Sequence, residues 1–142
     1  MNCLKLLFLV IICINTNLVK AQDLNTYKWY NRLIIILIDD ENNEIYNKQL
    51  NEFKKESSGL TERKLLVFHI KQNIFKKGLF STTWQEGKTA YKYLKKTNKS
   101  FEIILIGLDG DEKLRQNTFL PCETLFSKID LMPMRINELR KN

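Results

Sequence analysis

Few side chains in this sequence combine the type and the spacing that bond-making chemistry needs. Its single histidine is His69, so a Ser-His-Asp hydrolase would have to be built around that residue. His69 sits inside an apolar stretch at residues 65–70 (LLVFHI), where a packed or edge-facing role is expected. A zinc site from one histidine and one cysteine needs carboxylates to complete it, and the spacing supplies none. The run Asp39, Asp40, Glu41, Asn42, Asn43, Glu44 is oxygen-rich enough for Ca²⁺, yet it lacks the glycine and ligand spacing of an EF-hand loop. Carboxylates near a helix start are favoured by ~0.3–1 kcal/mol, and a charged turn is the expected role. No catalytic residue, metal or cofactor is expected.

The basic residues offer a different chemistry. Lys113 and Arg115 alternate in sequence, which places both on one face of a strand. Arg135 follows Pro133, where a restarted helix presents free N–H groups. Arginine carries a planar fork that matches carboxylates. Lys113, Arg115, Met132, Pro133, Met134 and Arg135 are therefore the candidate binding or structural motif. Pairing of Arg135 with Asp130 or Glu138, holding a kink, is the expected role. Trp29 and Tyr30 are expected to pack over the sheet edge. Cys122 follows Pro121 at a helix start, where the dipole favours a thiolate. A lone thiol cannot complete a dithiol cycle, so a small, semi-buried packing residue is expected there.

The elements that must position these groups alternate in type. Residues 33–38 (LIIILI) read as a strand buried on both faces. Tyr46, Leu50 and Phe53 recur with helical spacing, and Gly59 suits a C-terminal cap. Residues 65–70 form a second strand and residues 71–81 a surface loop. Thr83 and Glu86 have capping-box spacing, which predicts a helix carrying Trp84, Tyr91 and Leu94, with Gly87 weakening it. Residues 101–106 (FEIILI) form a third strand, and Asp109-Gly110 a tight turn into a return strand at 113–116. Pro121 suits the first turn of a last helix, which Pro133 breaks near Asp130. The order β-α-β-α-β-β-α describes an α/β, thioredoxin-like three-layer sandwich.

The amino terminus sets the compartment. Residues 6–14 (LLFLVIICI) form an unbroken apolar run after Lys5, spanning roughly 14 Å as a helix, under half of a bilayer core. With small or branched residues at Val19 and Ala21, residues 1–21 read as a secretory signal peptide. A lipid anchor on Cys13 is disfavoured, because Ile12 stands where that motif needs a small residue. Residues 22–142 are then a single exported domain, periplasmic or secreted, with no transmembrane segment. Of the 142 residues, 23 are basic and 16 acidic; removing Lys5 and Lys20 lowers the net charge from +7 to +5. Cys3 and Cys13 leave too, so Cys122 remains alone and no internal disulfide can form. The charge is mostly lysine in pairs spread along the chain, such as Lys54-Lys55 and Lys95-Lys96. A solvated surface is expected, and nucleic acid is an unlikely partner.

Three segments carry a resemblance to an exported bacterial family, the domain of unknown function 4174. They are Trp29-Tyr30-Asn31-Arg32 leading into LIIILI, the stretch IGLDGDEKLR at residues 106–115, and Ile129-Asp130-Leu131-Met132-Pro133-Met134-Arg135 followed by Glu138. Gln49 falls where the family places a glutamine in its first helix. The similarity spans about residues 24–139. It implies a thioredoxin-like fold and export, is shared with domains of sushi-repeat and equarin-type matrix proteins, and implies no reaction. Leu108 replaces the family's basic residue before the Asp-Gly turn, and Ile136 a second arginine, which implies a weaker anion site.

A thioredoxin-type enzyme needs a low-pKa thiolate at the start of its first helix. Residues 39–45 contain no cysteine, and residues 95–101 lack the proline such enzymes place before the third strand. The expected function is a non-catalytic binding or interaction module outside the cytoplasm, its partner a protein or an anionic polymer. The alternatives are an oxidoreductase-related enzyme using an unrecognised site, and a binder of anionic glycan or matrix polymer.

Overall fold

The structure, a computed structural model, describes residues 23–87 and 90–141; the expected signal segment lies outside them. A short 3₁₀ turn, Leu24–Tyr27, precedes β1 (Arg32–Ile38). Then come α1 (Glu44–Lys55), α2 (Ser57–Glu62), β2 (Leu65–Lys71), β3 (Ile74–Lys77), β4 (Gln85–Glu86) and α3 (Tyr91–Leu94). The chain closes with β5 (Phe101–Ile106), β6 (Glu112–Gln116), α4 (Cys122–Asp130) and α5 (Pro133–Arg140).

The six strands lie in the order β4-β3-β2-β1-β5-β6. β1 pairs with β2 in parallel, Ile36 beside His69, and with β5 antiparallel, Ile35 beside Ile104. A parallel pair needs a crossover, which α1 and α2 provide. Every residue of β1 is buried because layers cover both faces. Ile34, Ile36 and Ile38 join Tyr46, Phe53, Leu60, Leu125 and Ile129 on the face covered by α1, α2 and α4. Leu33, Ile35 and Leu37 join Phe68, Ile70 and Ile104 on the other, under Leu24, Tyr27, Tyr91 and Leu94. The period-two alternation sorts one apolar strand into two cores.

Several expectations need correction. Residues 71–81 are not a loop: β3 folds back on β2, with Ile70 beside Phe75. The helix expected from Thr83 is replaced by β4, which pairs Gln85 with Phe75, while the Gly87 amide bonds the Asn73 carbonyl. Cross-strand pairing outcompetes a capping signal that Gly87 interrupts, and only one helical turn, α3, remains. Gly59 is no cap; it lies within α2, where a Cβ would stand 2.6 Å from the Phe126 ring, so its bareness lets α2 approach α4. Trp29 and Tyr30 do not pack over the sheet edge: they are 60% and 74% exposed, with Trp29 at φ 71° and the Lys28 ammonium 5.2 Å over its ring.

The break at Pro133 is where the sequence puts it. α4 ends at Asp130, Met132 takes extended backbone, as a residue before proline prefers, and Pro133 opens α5 without needing a donor. The buried residue of α5 is Arg135, and Leu139 near its end is half exposed. Lys113 and Arg115 do not share a face. A bulge shifts the register, so that Leu105 faces Leu114 but Ile106 faces Glu112. The extra residue, Lys113, turns toward α5 while Arg115 keeps the opposite face. Among the described residues no helix is long and apolar enough to cross a membrane.

Candidate functional site

The C-terminal end of β1 is where a redox enzyme of this architecture would keep its thiol. Here the acidic run builds a turn and a cap. Asn43 accepts from the Tyr46 amide at 3.0 Å and donates to Ser100 Oγ at 2.9 Å. Asp40 accepts from the Asn42 amide at 3.0 Å. Asp39 accepts from the Tyr91 hydroxyl at 2.5 Å and from Lys95 at 3.5 Å. Behind it Glu102, fully buried, accepts from the Thr97 amide and hydroxyl at 3.0 and 2.9 Å and from Arg115 Nη1 at 2.7 Å. Burial pushes the Glu102 carboxyl up, but these hydrogen bonds and the Arg115 charge outweigh it and hold it below the usual range. Arg115 also grips Glu112 through Nε and Nη2, at 3.0 and 2.9 Å. All three of its guanidinium nitrogens are hydrogen-bonded within the protein. Among the described residues no group of three or more His, Cys, Asp or Glu side chains is placed to hold a metal.

His69 is a packed residue. Its Nε2 lies 3.3 Å from the Gly78 carbonyl, which can only accept, so Nε2 carries the proton and Nδ1 accepts from the Tyr46 hydroxyl at 3.0 Å. Burial, with the Lys76 charge, pushes the imidazole down to about 4, and burial pushes the Tyr46 hydroxyl up to about 12. Cys122 is buried more deeply than expected. Burial and the carboxylates of Glu52 and Glu56 push its thiol up to about 12. The helix dipole that favours a thiolate is outweighed.

The opposite end of β1 holds a cavity of about 340 Å³. Arg32, Gly107, Leu108, Asp109, Lys113, Met132, Pro133 and Met134 line it. Of the candidate motif, Lys113 and the three residues at the Pro133 break are brought together here, with Arg135 in the ion cluster alongside. Arg115 is not; it lines a separate depression with Thr97 and Glu102. Lys113 reaches Asp109 at 2.6 Å and lies where a side chain at Gly107 would be, since a Cβ there would stand 2.6 Å from Lys113 Cε. The Lys113 hydrogen bond holds the Asp109 carboxyl below the usual range.

Arg135, 4% exposed, is fully engaged. Nε meets Asp130 at 3.3 Å, Nη1 the Glu62 carbonyl at 3.2 Å and Glu138 at 3.4 Å, and Nη2 the Glu62 carboxylate. Arg63 grips Asp130 through Nε and Nη2, at 2.9 and 2.7 Å. The expected pairing of Arg135 with Asp130 and Glu138 is present, with Glu62 added. Sequence reasoning does not single out Arg32, Gly107, Leu108 or Asp109 as a site. The signal for Arg32 is a charge opening a strand buried along its whole length, which demands a partner. All eight lining residues fall within the three segments that carry the family resemblance.

Taken together, the four-strand order β2-β1-β5-β6, antiparallel after its first pair and clad by helices, defines a thioredoxin-like fold. A crystal structure of reduced Plasmodium vivax 2-Cys peroxiredoxin is similar, with 10% sequence identity, a TM-score of 0.56, and coverage of 84% of this chain and 85% of that one. At that identity the likeness shows the fold alone. The chain belongs to the family described as domain of unknown function (DUF4174), whose model matches residues 23–138. No curated protein matches it.

Proposed function

We propose that this protein is a non-catalytic binding module acting outside the cytoplasm, and that the cavity beneath the Pro133 break is where it binds. The carrying observation is the convergence of three separate sequence motifs on that one cavity. The thiol chemistry supports the same reading. The start of α1 bears Asp39 to Asn43 in place of a cysteine, and a thiol pushed up to about 12 is protonated at neutral pH and a poor nucleophile.

The test is an assay of insulin-disulfide reduction and peroxide consumption with wild type and Cys122→Ala. Both proteins are expected to stay at background. A turnover abolished by that one substitution overturns the reading in favour of a one-cysteine enzyme. Export is checked by mass spectrometry of the native protein, expected to begin at Gln22; an intact Met1 or a lipid on Cys13 would refute it. Retention on an anionic column that persists until ~0.5 M salt would redirect the binding reading to the lysine-rich surface and an anionic polymer.

A further inference from the structure

Arg32 is 1% exposed and only one of its three nitrogens is satisfied. Nη1 donates to the Arg63 carbonyl at 3.0 Å and to both Glu138 oxygens at 3.3 Å. Nε and Nη2 find no acceptor among the described residues. Those two nitrogens form one edge of the guanidinium, with parallel N–H bonds spaced for the two oxygens of a carboxylate. Arg63 and Arg115 use this same edge to grip Asp130 and Glu112. Arg32 is a third such fork, buried and without its carboxylate.

The charges around it are unbalanced in the same sense. Arg32, Arg63, Lys64 and Arg135 interlock with Glu62, Asp130 and Glu138, four cations on three carboxylates. Glu138 alone serves Arg32, Lys64 and Arg135. Lys113 stands outside this cluster, held by Asp109 at 2.6 Å and reaching the exposed Asp111 at 4.0 Å. Within the cluster one cation is left without a carboxylate of its own. The adjoining cavity wall is apolar, made by Leu108, Met132, Pro133 and Met134.

We propose that the cavity binds a monocarboxylate with a short apolar tail, its carboxylate on Nε and Nη2 of Arg32 and its tail against the methionines. The inference rests on the binding reading above and names the ligand class for that cavity. Both nitrogens are closed to solvent, so binding includes a side-chain movement in the wall. Met132 and Met134, each with three rotatable bonds, are the parts that give. A free acid and the C-terminus of an apolar peptide present the same chemistry to the fork.

The test is titration of the purified full chain by calorimetry with hexanoate, hexanol, acetate, and an apolar tetrapeptide carrying a free or an amidated C-terminus. Saturable binding of hexanoate is expected, at least tenfold weaker for acetate and absent for hexanol. Binding of the free peptide with neither hexanoate nor the amidated form would support the fork and assign the carboxylate to a chain terminus. Equal binding of hexanol and hexanoate, or no binding of hexanoate, acetate or the free peptide, overturns the proposal. Arg32→Gln removes the fork but risks the fold, so Met134→Glu serves beside it, placing a negative charge on a partly exposed wall. That variant is expected to melt as wild type and to lose at least tenfold in hexanoate affinity; unchanged affinity counts against the site. Failure here with no thiol-dependent turnover removes the carboxylate assignment alone, whereas such turnover removes the binding reading itself.

Discussion

The two ends of the central strand, roughly 20 Å apart at the usual rise per residue, treat their charges in opposite ways. At the Ile38 end, Glu102 lies buried with Thr97 and Arg115 around it, and Arg115 in turn holds Glu112. Every strong donor there meets an acceptor inside the protein. At the Arg32 end a guanidinium of equal burial keeps one edge unpaired, beside a cavity. A buried polar group without a partner costs free energy that folding has to offset. The end that carries redox chemistry in thioredoxin-type enzymes is here a closed hydrogen-bonded network, and the cavity with its unpaired arginine edge sits at the other end.

Substitutions at each end test that contrast. The largest effect is expected for Glu102→Ala, which takes the buried carboxylate from Arg115 Nη1 and from the Thr97 donors while Glu112 still holds the rest of the guanidinium, and should cost about 3 kcal/mol. Denaturant unfolding measures it; a loss under 1 kcal/mol would mean that the Ile38 end is not the closed network described. Acid separates the middle of the sheet from both ends. His69 is held neutral, its pKa lowered from 6.5 to about 4, so between those values the unfolded chain binds a proton that the folded one refuses. Stability should therefore fall as pH drops from 6.5 to 4, by about 3 kcal/mol at 1.36 per unit. Glu102 and Asp130 titrate below the usual carboxylate range, and their loss adds only at lower pH. His69→Gln should flatten the upper limb and leave the lower one in place.

Arg135→Ala probes the Arg32 end. Glu62 and Asp130 are partly hydrated already, so about 2 kcal/mol is expected, less than at Glu102. An effect near zero would show that the ion cluster does not hold the Pro133 break. The smallest shift, about 1–2 kcal/mol, is expected for Gly59→Ala. Alanine normally favours a helix over glycine by about 1 kcal/mol. Here the added Cβ meets the Phe126 ring, itself stacked under Arg63 at 4.1 Å, and overpacking reverses the sign. A thermal melt at or above wild type would show that α2 can retreat.

Much of the frame was legible before the structure. β1, β2 and β5 announce themselves as short apolar runs, and Asp109-Gly110 marks its turn, with Gly110 at φ 83°. The break at Pro133 and the Arg135 pairs follow from local rules. The β3–β4 hairpin was not legible, because Ile74 and Phe75 stand among lysines and a glycine, and their pairing is decided by β2. Lys113 and Arg115 looked coplanar because alternation cannot reveal a bulge. Arg32 was the deepest omission. Its importance lies in which of its nitrogens lack partners, and those partners arrive from residues 63 and 138.

The bulge at Lys113 has a consequence at the rim of the molecule. β6 is one border of the sheet, and the other, β4, is two residues long. A strand from another chain could pair with neither in register for more than a few residues. A bulge interrupts the register of β6 and bends such a strand, while Glu112, Lys113 and Arg115 crowd that border with charge. Ribbon-like stacking of one copy on the next is thereby discouraged, a useful property for a chain rich in isoleucine.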